Sequence, residues 1–135
     1  MKWFRRKNEP PWEVVGCEIV EPVFMFDGGD ELDVVRIRGM SMSGKYIFDF
    51  KKHAPNGAQG VSTVLFARQQ LMQEITKKSY NILLLEGWTL TRLRQGKHHR
   101  IEVDYTGRPG YVSGKPPAPR PPPFIAVLEG RHMFS

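Results

Sequence analysis

STVLFARQQLMQEITKKSYNILLLEGWTLTRLRQGKHHRIEVDY, residues 62–105, is the stretch whose reading decides the fold. Val64, Ala67, Leu71 and Ile75 recur at helical spacing, and Leu65 and Met72 widen the apolar stripe. Ser62 is placed to cap the start. The pattern carries across Lys77 and Lys78 into Ile82 and Leu85, which predicts one helix from Ser62 to Glu86. Gly87 then acts as its stop, because glycine accepts a left-handed backbone, with Trp88 folding back onto Leu83 or Leu84. A competing reading ends the helix at Lys78, makes Asn81 to Leu85 a strand and turns the chain at Glu86-Gly87.

After Gly87 the period changes. Trp88 to Gln95 and His98 to Tyr105 have strand character and are joined at Gly96-Lys97. Ile101, Val103 and Tyr105 alternate with Arg100, Glu102 and Asp104, giving one apolar and one polar face. The tip of this hairpin gathers Arg92, Arg94, Lys97, His98, His99 and Arg100. Such a basic ribbon can enter a groove of nucleic acid, where phosphate contacts dominate affinity. The bland reading is a solvated turn.

Upstream, strands are expected over Glu13 to Val20, Val23 to Phe26, Leu32 to Arg38 and Lys45 to Lys52, with Pro22 as an interruption. The fold class is therefore α+β: a mostly antiparallel β-sheet of about six strands, in the order ββββ-α-ββ, packed against one long helix. Residues 1–11 read as a basic tail, 12–107 as a single α+β domain, and 108–135 as a Pro-rich C-terminal arm ending in a short strand.

A chain of 135 residues suffices for one core. The net charge of +6 is unevenly spread. Asn8 to Val35 holds eight acids and no Lys or Arg, whereas from Val34 onward 16 Lys and Arg face six acids. The basic majority favours polyanionic partners, and the split favours head-to-tail association. No apolar run approaches a membrane span, and Asn8-Glu9-Pro10-Pro11 stands where a signal peptide needs an apolar segment. One cysteine, Cys17, fits a reducing compartment. The expected setting is cytoplasmic, or an intracellularly assembled particle.

Trp3, Phe4, Arg5, Arg6 and Lys7 mix rings with cations, the chemistry of an anionic membrane surface, although the stretch is too short to anchor alone. Asp27, Asp30, Glu31 and Asp33 lack the spacing of a calcium loop and read as a turn. Lys52 to Gly60 precedes the helix without being a nucleotide-binding loop. No cofactor or metal is expected. His98 and His99 are adjacent, so they point to opposite faces of a strand and do not share a metal. A histidine-dependent ribonuclease would need a second histidine, His53 or His132, brought to the hairpin.

The remaining distinctive segment is the arm from Arg108, held extended by Pro109, Pro116, Pro117, Pro119, Pro121, Pro122 and Pro123. Phe-Ile-Ala-Val-Leu (124–128) follows as a short apolar strand, either closing its own sheet or adding to a neighbour's. Pro119, Arg120, Pro122, Phe124, Ile125 and Val127 are the candidate partner-binding residues. The function expected is that of a non-enzymatic structural subunit docking on neighbouring protein subunits, its own copies among them. The alternatives are nucleic-acid binding through the hairpin and the ribonuclease.

Overall fold

The computed structural model describes residues 10–27, 32–118 and 120–133, with side chains as far as residue 129. The tail residues Trp3 to Lys7, Asp30 and Glu31 of the acidic turn, Pro119 and the side chain of His132 fall outside the described residues. The chain forms β1 (Glu13–Phe24), β2 (Val34–Ile37), β3 (Met42–Phe50), α1 (Gly57–Lys77), β4 (Ile82–Gln95), β5 (His98–Val112) and α2 (Ala126–Met133). It is an α+β fold with an antiparallel five-stranded sheet.

The central stretch divides where the competing reading placed the break. Helix α1 starts five residues before Ser62, because Asn56 accepts from the Gln59 backbone while the Gln59 side chain accepts from the Asn56 backbone. It ends at Lys77. Ser79 takes the left-handed conformation at φ 68°, Tyr80 N–H bonds to Ile75 O, and Ser79 N–H bonds to Thr76 O. That Schellman pattern closes the last turn with serine in the place glycine usually fills.

Gly87 is therefore no helix stop; it lies inside β4. A Cβ on Gly87 would stand 2.6 Å from Pro22 N and 2.7 Å from Val20 O. The missing side chain lets β1 pass close by at its bulge between Val20 and Val23. Trp88 likewise does not fold back on Leu83 or Leu84; it is buried beneath the arm.

The expected six strands become five among the described residues because Glu13–Phe24 is one strand running through Pro22. Proline is tolerated there because β1 is an edge strand and the register shifts at that point. The β5 strand runs past Tyr105 to Val112 and takes in Pro109. That proline sits where β4 bulges between Leu83 and Leu85, and its carbonyl accepts from Arg38 between β2 and β3.

The sheet order is β1-β4-β5-β2, with β3 also pairing β5. β2 lies beside Gly110 to Val112 and β3 beside His99 to Gly107, so the two share one outer edge while β1 forms the other. Helix α1 covers one face. Val64, Ala67, Leu71 and Ile75 meet Trp88, Leu90, Ile101, Val103 and Tyr105, and Leu128 of α2 completes the core.

Candidate functional site

The arm was expected either to end in a strand of its own sheet or to reach a neighbour. Instead Pro123 to Ile125 form a turn, with Phe124 at φ 54°, and α2 begins at Ala126. Val127 N–H bonds to Phe124 O and Leu128 N–H to Ile125 O, so the first backbone donors of the helix are satisfied locally rather than by a sheet. The arm lies against its own domain. Trp88 Nε1 donates to Pro123 O at 2.8 Å, Arg120 donates to Met25 O, and the Arg120 guanidinium sits 4.6 Å from the Phe26 ring centre. Pro122 and Pro123 are buried, and Ile125 packs on the core.

The candidate partner-binding residues thus divide. Arg120, Pro122 and Ile125 hold the arm down, while Phe124 stays 66% exposed and Val127 44% exposed. Those two stand over the β1 edge and form one wall of an open groove of about 540 Å³, shared with Cys17, Ile19, Val20 and Val23. Val14, Val15, Ile19 and Phe24 are also exposed along β1. Across the sheet, Phe66 of α1 lies over the β3 edge, edge-on to the rings of Tyr46 and Phe48. A second groove there, of about 280 Å³, is lined by Phe48, Phe50, Ser62 and Phe66 among others.

The basic hairpin is largely neutralised from within. Arg92 pairs with Glu18 at 2.8 Å, Arg94 Nε with Glu13 at 2.9 Å and Arg100 with Asp49 at 2.7 Å. The Arg100 guanidinium also lies 4.2 Å from the Trp12 ring centre. The acids come from β1 and β3, which flank the hairpin, so the acidic and basic halves meet inside one sheet. Lys97 and His98 remain exposed at the turn, and His99 is half-buried. A shallow depression of about 240 Å³ holds Trp12, Asp49, His98, His99 and Arg100. Among the described residues no three His, Cys, Asp or Glu side chains come together as a metal site. No helix among them is long and apolar enough to cross a membrane.

One polar group lies deep in the core. Glu86, 1% exposed, accepts from Arg68 Nε at 2.6 Å and Nη2 at 3.1 Å, and the Tyr105 hydroxyl donates to the same carboxylate. Burial, then the neighbouring Glu86 charge, pushes the Tyr105 phenol well above its ordinary value. For Arg68, burial favours the neutral form, but the bond and charge of Glu86 outweigh it and hold the cation more firmly. The group has no opening to solvent wide enough for a substrate among the grooves above, and its members satisfy one another. Sequence reading passed over it because Arg68 and Tyr105 lie 18 and 19 residues from Glu86 on different elements. The one legible signal was an acid in the middle of an apolar run.

No protein-family model, no curated protein and no solved structure matches this chain.

Proposed function

We propose that the protein is a non-enzymatic structural subunit that works by contact, docking on neighbouring protein subunits with the outer surface of its C-terminal arm. The observation that carries this reading is the placement of Phe124 and Val127. Ile125 and Leu128 turn to the core, while Phe124 and Val127 line a groove along the β1 edge, which among the described residues pairs with no further strand. An edge strand presents a row of backbone donors and acceptors, and adjacent apolar side chains add the burial that makes a joint persist. The role of the arm shifts accordingly: its prolines and Arg120 fix it in place, and its exposed side chains do the gripping.

Nucleic-acid binding at the hairpin is the weaker reading, since Arg92, Arg94 and Arg100 already face carboxylates. A ribonuclease is weaker still, with His98 and His99 on opposite faces of β5.

The test is the double variant Phe124→Ser/Val127→Ser, changed only at exposed positions. Isolated from its source at low salt, the natural chain should retain bound protein, its own copies included. The variant should lose it while its circular dichroism and melting stay unchanged. Equal retention by the two sinks the proposal.

A further inference from the structure

Four strand positions lie across the sheet, with β2 and β3 sharing the last, and every neighbouring pair is antiparallel. The two outer edges therefore run in opposite directions. If a second copy is set beside the first in the same orientation, its β1 meets the first copy's β3 antiparallel, and the sheet continues unbroken. We infer that copies of this chain join head to tail in this way, β1 of one against β3 of the next. The inference rests on the contact reading above and names the partner as the chain itself.

Two independent features select this join. The first is charge. The β1 strand carries Glu13, Glu18 and Glu21 with no Lys or Arg, Glu13 and Glu18 already meeting Arg94 and Arg92, whereas β3 carries Lys45 against Asp49 and is followed by Lys51 and Lys52. Pairing β1 with its own copy would set glutamates against glutamates; pairing it with β3 puts Glu13 level with Phe50, beside Lys51, and Val20, next to Glu21, level with Gly44, beside Lys45. Charges of this kind keep like edges apart, and on unlike edges they attract. The second feature is the layer above the sheet. A copy in the same orientation keeps its helices on the same side, so Phe66 over one β3 edge comes to face Phe124 and Val127 over the next β1 edge. Each groove is then closed by the other. The bulges between Val14 and Gly16 and between Val20 and Val23 confine regular pairing on β1 to Gly16–Val20. That window lies level with Gly44 to Phe48 of β3, through Arg92–Ile101 at one end and Trp88–Tyr105 at the other.

The native Cys17 gives the test. Cys17, Thr91, Glu102 and Ile47 form one row across the sheet, so Cys17 and Ile47 lie on the same face at opposite edges. In the full chain, I47C adds a second thiol at an exposed position. K45C and D49C cover a join slipped by two residues either way. Under mild oxidation, at least one of the three should give a ladder of dimers, trimers and higher species on a non-reducing gel. The natural chain should stay monomeric on the same gel. A Cys17–Cys17 dimer in the natural chain, with no ladder from any variant, would show a two-fold join and overturn the inference. So would sedimentation of the natural chain as a monomer at every concentration up to about 0.5 mM, which is weaker than the affinity of a specific joint. The contact reading would survive that last result if the chain still held another protein through Phe124 and Val127. It would fall only if the double serine variant lost nothing.

Discussion

At the scale of single residues, the buried Glu86 group decides more than any other. A carboxylate in an apolar core persists only because Arg68 and Tyr105 compensate it. Arg68→Met should therefore cost about 3–5 kcal/mol, the usual result of stranding a buried charge. Urea unfolding measures it, and a loss below about 1 kcal/mol would show the carboxylate has other relief. Tyr105→Phe should cost about 1.5–3 kcal/mol at neutral pH, as expected for one hydrogen bond to a charged group. The same residue predicts an alkaline limit. Its phenol titrates higher in the folded chain than in the unfolded one. Its contribution is thus fully present below about pH 10, the unfolded value, and is lost progressively as pH rises above it. Stability measured from pH 8 to 11 should fall more steeply for the natural chain than for Tyr105→Phe. Gly87 makes a separate prediction. Gly87→Ala has to displace β1 backbone rather than a flexible side chain, and should cost about 1–3 kcal/mol in thermal or urea melts.

At the scale of elements, the arm behaves as part of the core. Leu128 is buried among Val64, Leu90 and Trp88, so Leu128→Ala should cost about 2–5 kcal/mol. Phe124→Ser, directly after Pro123, should leave the melt within about 0.5 kcal/mol. A comparable loss from both would mean that the outward side of the arm is structural too. How far these elements were legible in the sequence varied with the locality of their cause. The hairpin turning at Gly96-Lys97 was readable because strand alternation and a glycine turn are local. The helix start is written in the sequence as the capping pair Asn56 and Gln59, upstream of the apolar stripe that makes Ser62 look like the cap. The helix end is legible only in the competing reading that stops at Lys78, because Ile82 and Leu85 continue a helical period by coincidence and Ser79 is an unusual residue for a left-handed stop. Phe-Ile-Ala-Val-Leu looks like a strand by composition. It forms a turn and a helix start beside Pro123, whose carbonyl accepts from Trp88 across 35 residues, a contact no local pattern shows. Composition singles out the arm residues as a set, but their division into inward and outward faces goes with that same distant contact.

At the scale of the whole molecule, the charge asymmetry noted along the chain bears on the proposed join. Part of it is consumed internally, where Glu13, Glu18 and Asp49 meet Arg94, Arg92 and Arg100. Of the rest, Glu21 lies on β1, and Lys45, Lys51 and Lys52 lie on or just after β3. Association through those edges should weaken when salt rises from about 0.1 M to about 1 M, because screening shortens the reach of charge from about 10 Å to about 3 Å. Sedimentation at the two salt concentrations checks this. A joint that strengthens with salt would be apolar alone. The same neutralisation predicts that Lys97→Glu changes binding to a random oligonucleotide little, because the neighbouring cations are already occupied.

The route of the chain also constrains when it can become a protein at all. Its first strand finds β4, its one sheet neighbour among the described residues, some seventy positions later, and the indole of Trp88 finds its acceptor later still. A nascent polypeptide stopped anywhere short of Leu128 would display bare apolar surface. Such a chain matures in a single late event, after synthesis has passed that leucine, and until then depends on its surroundings to keep it from clumping.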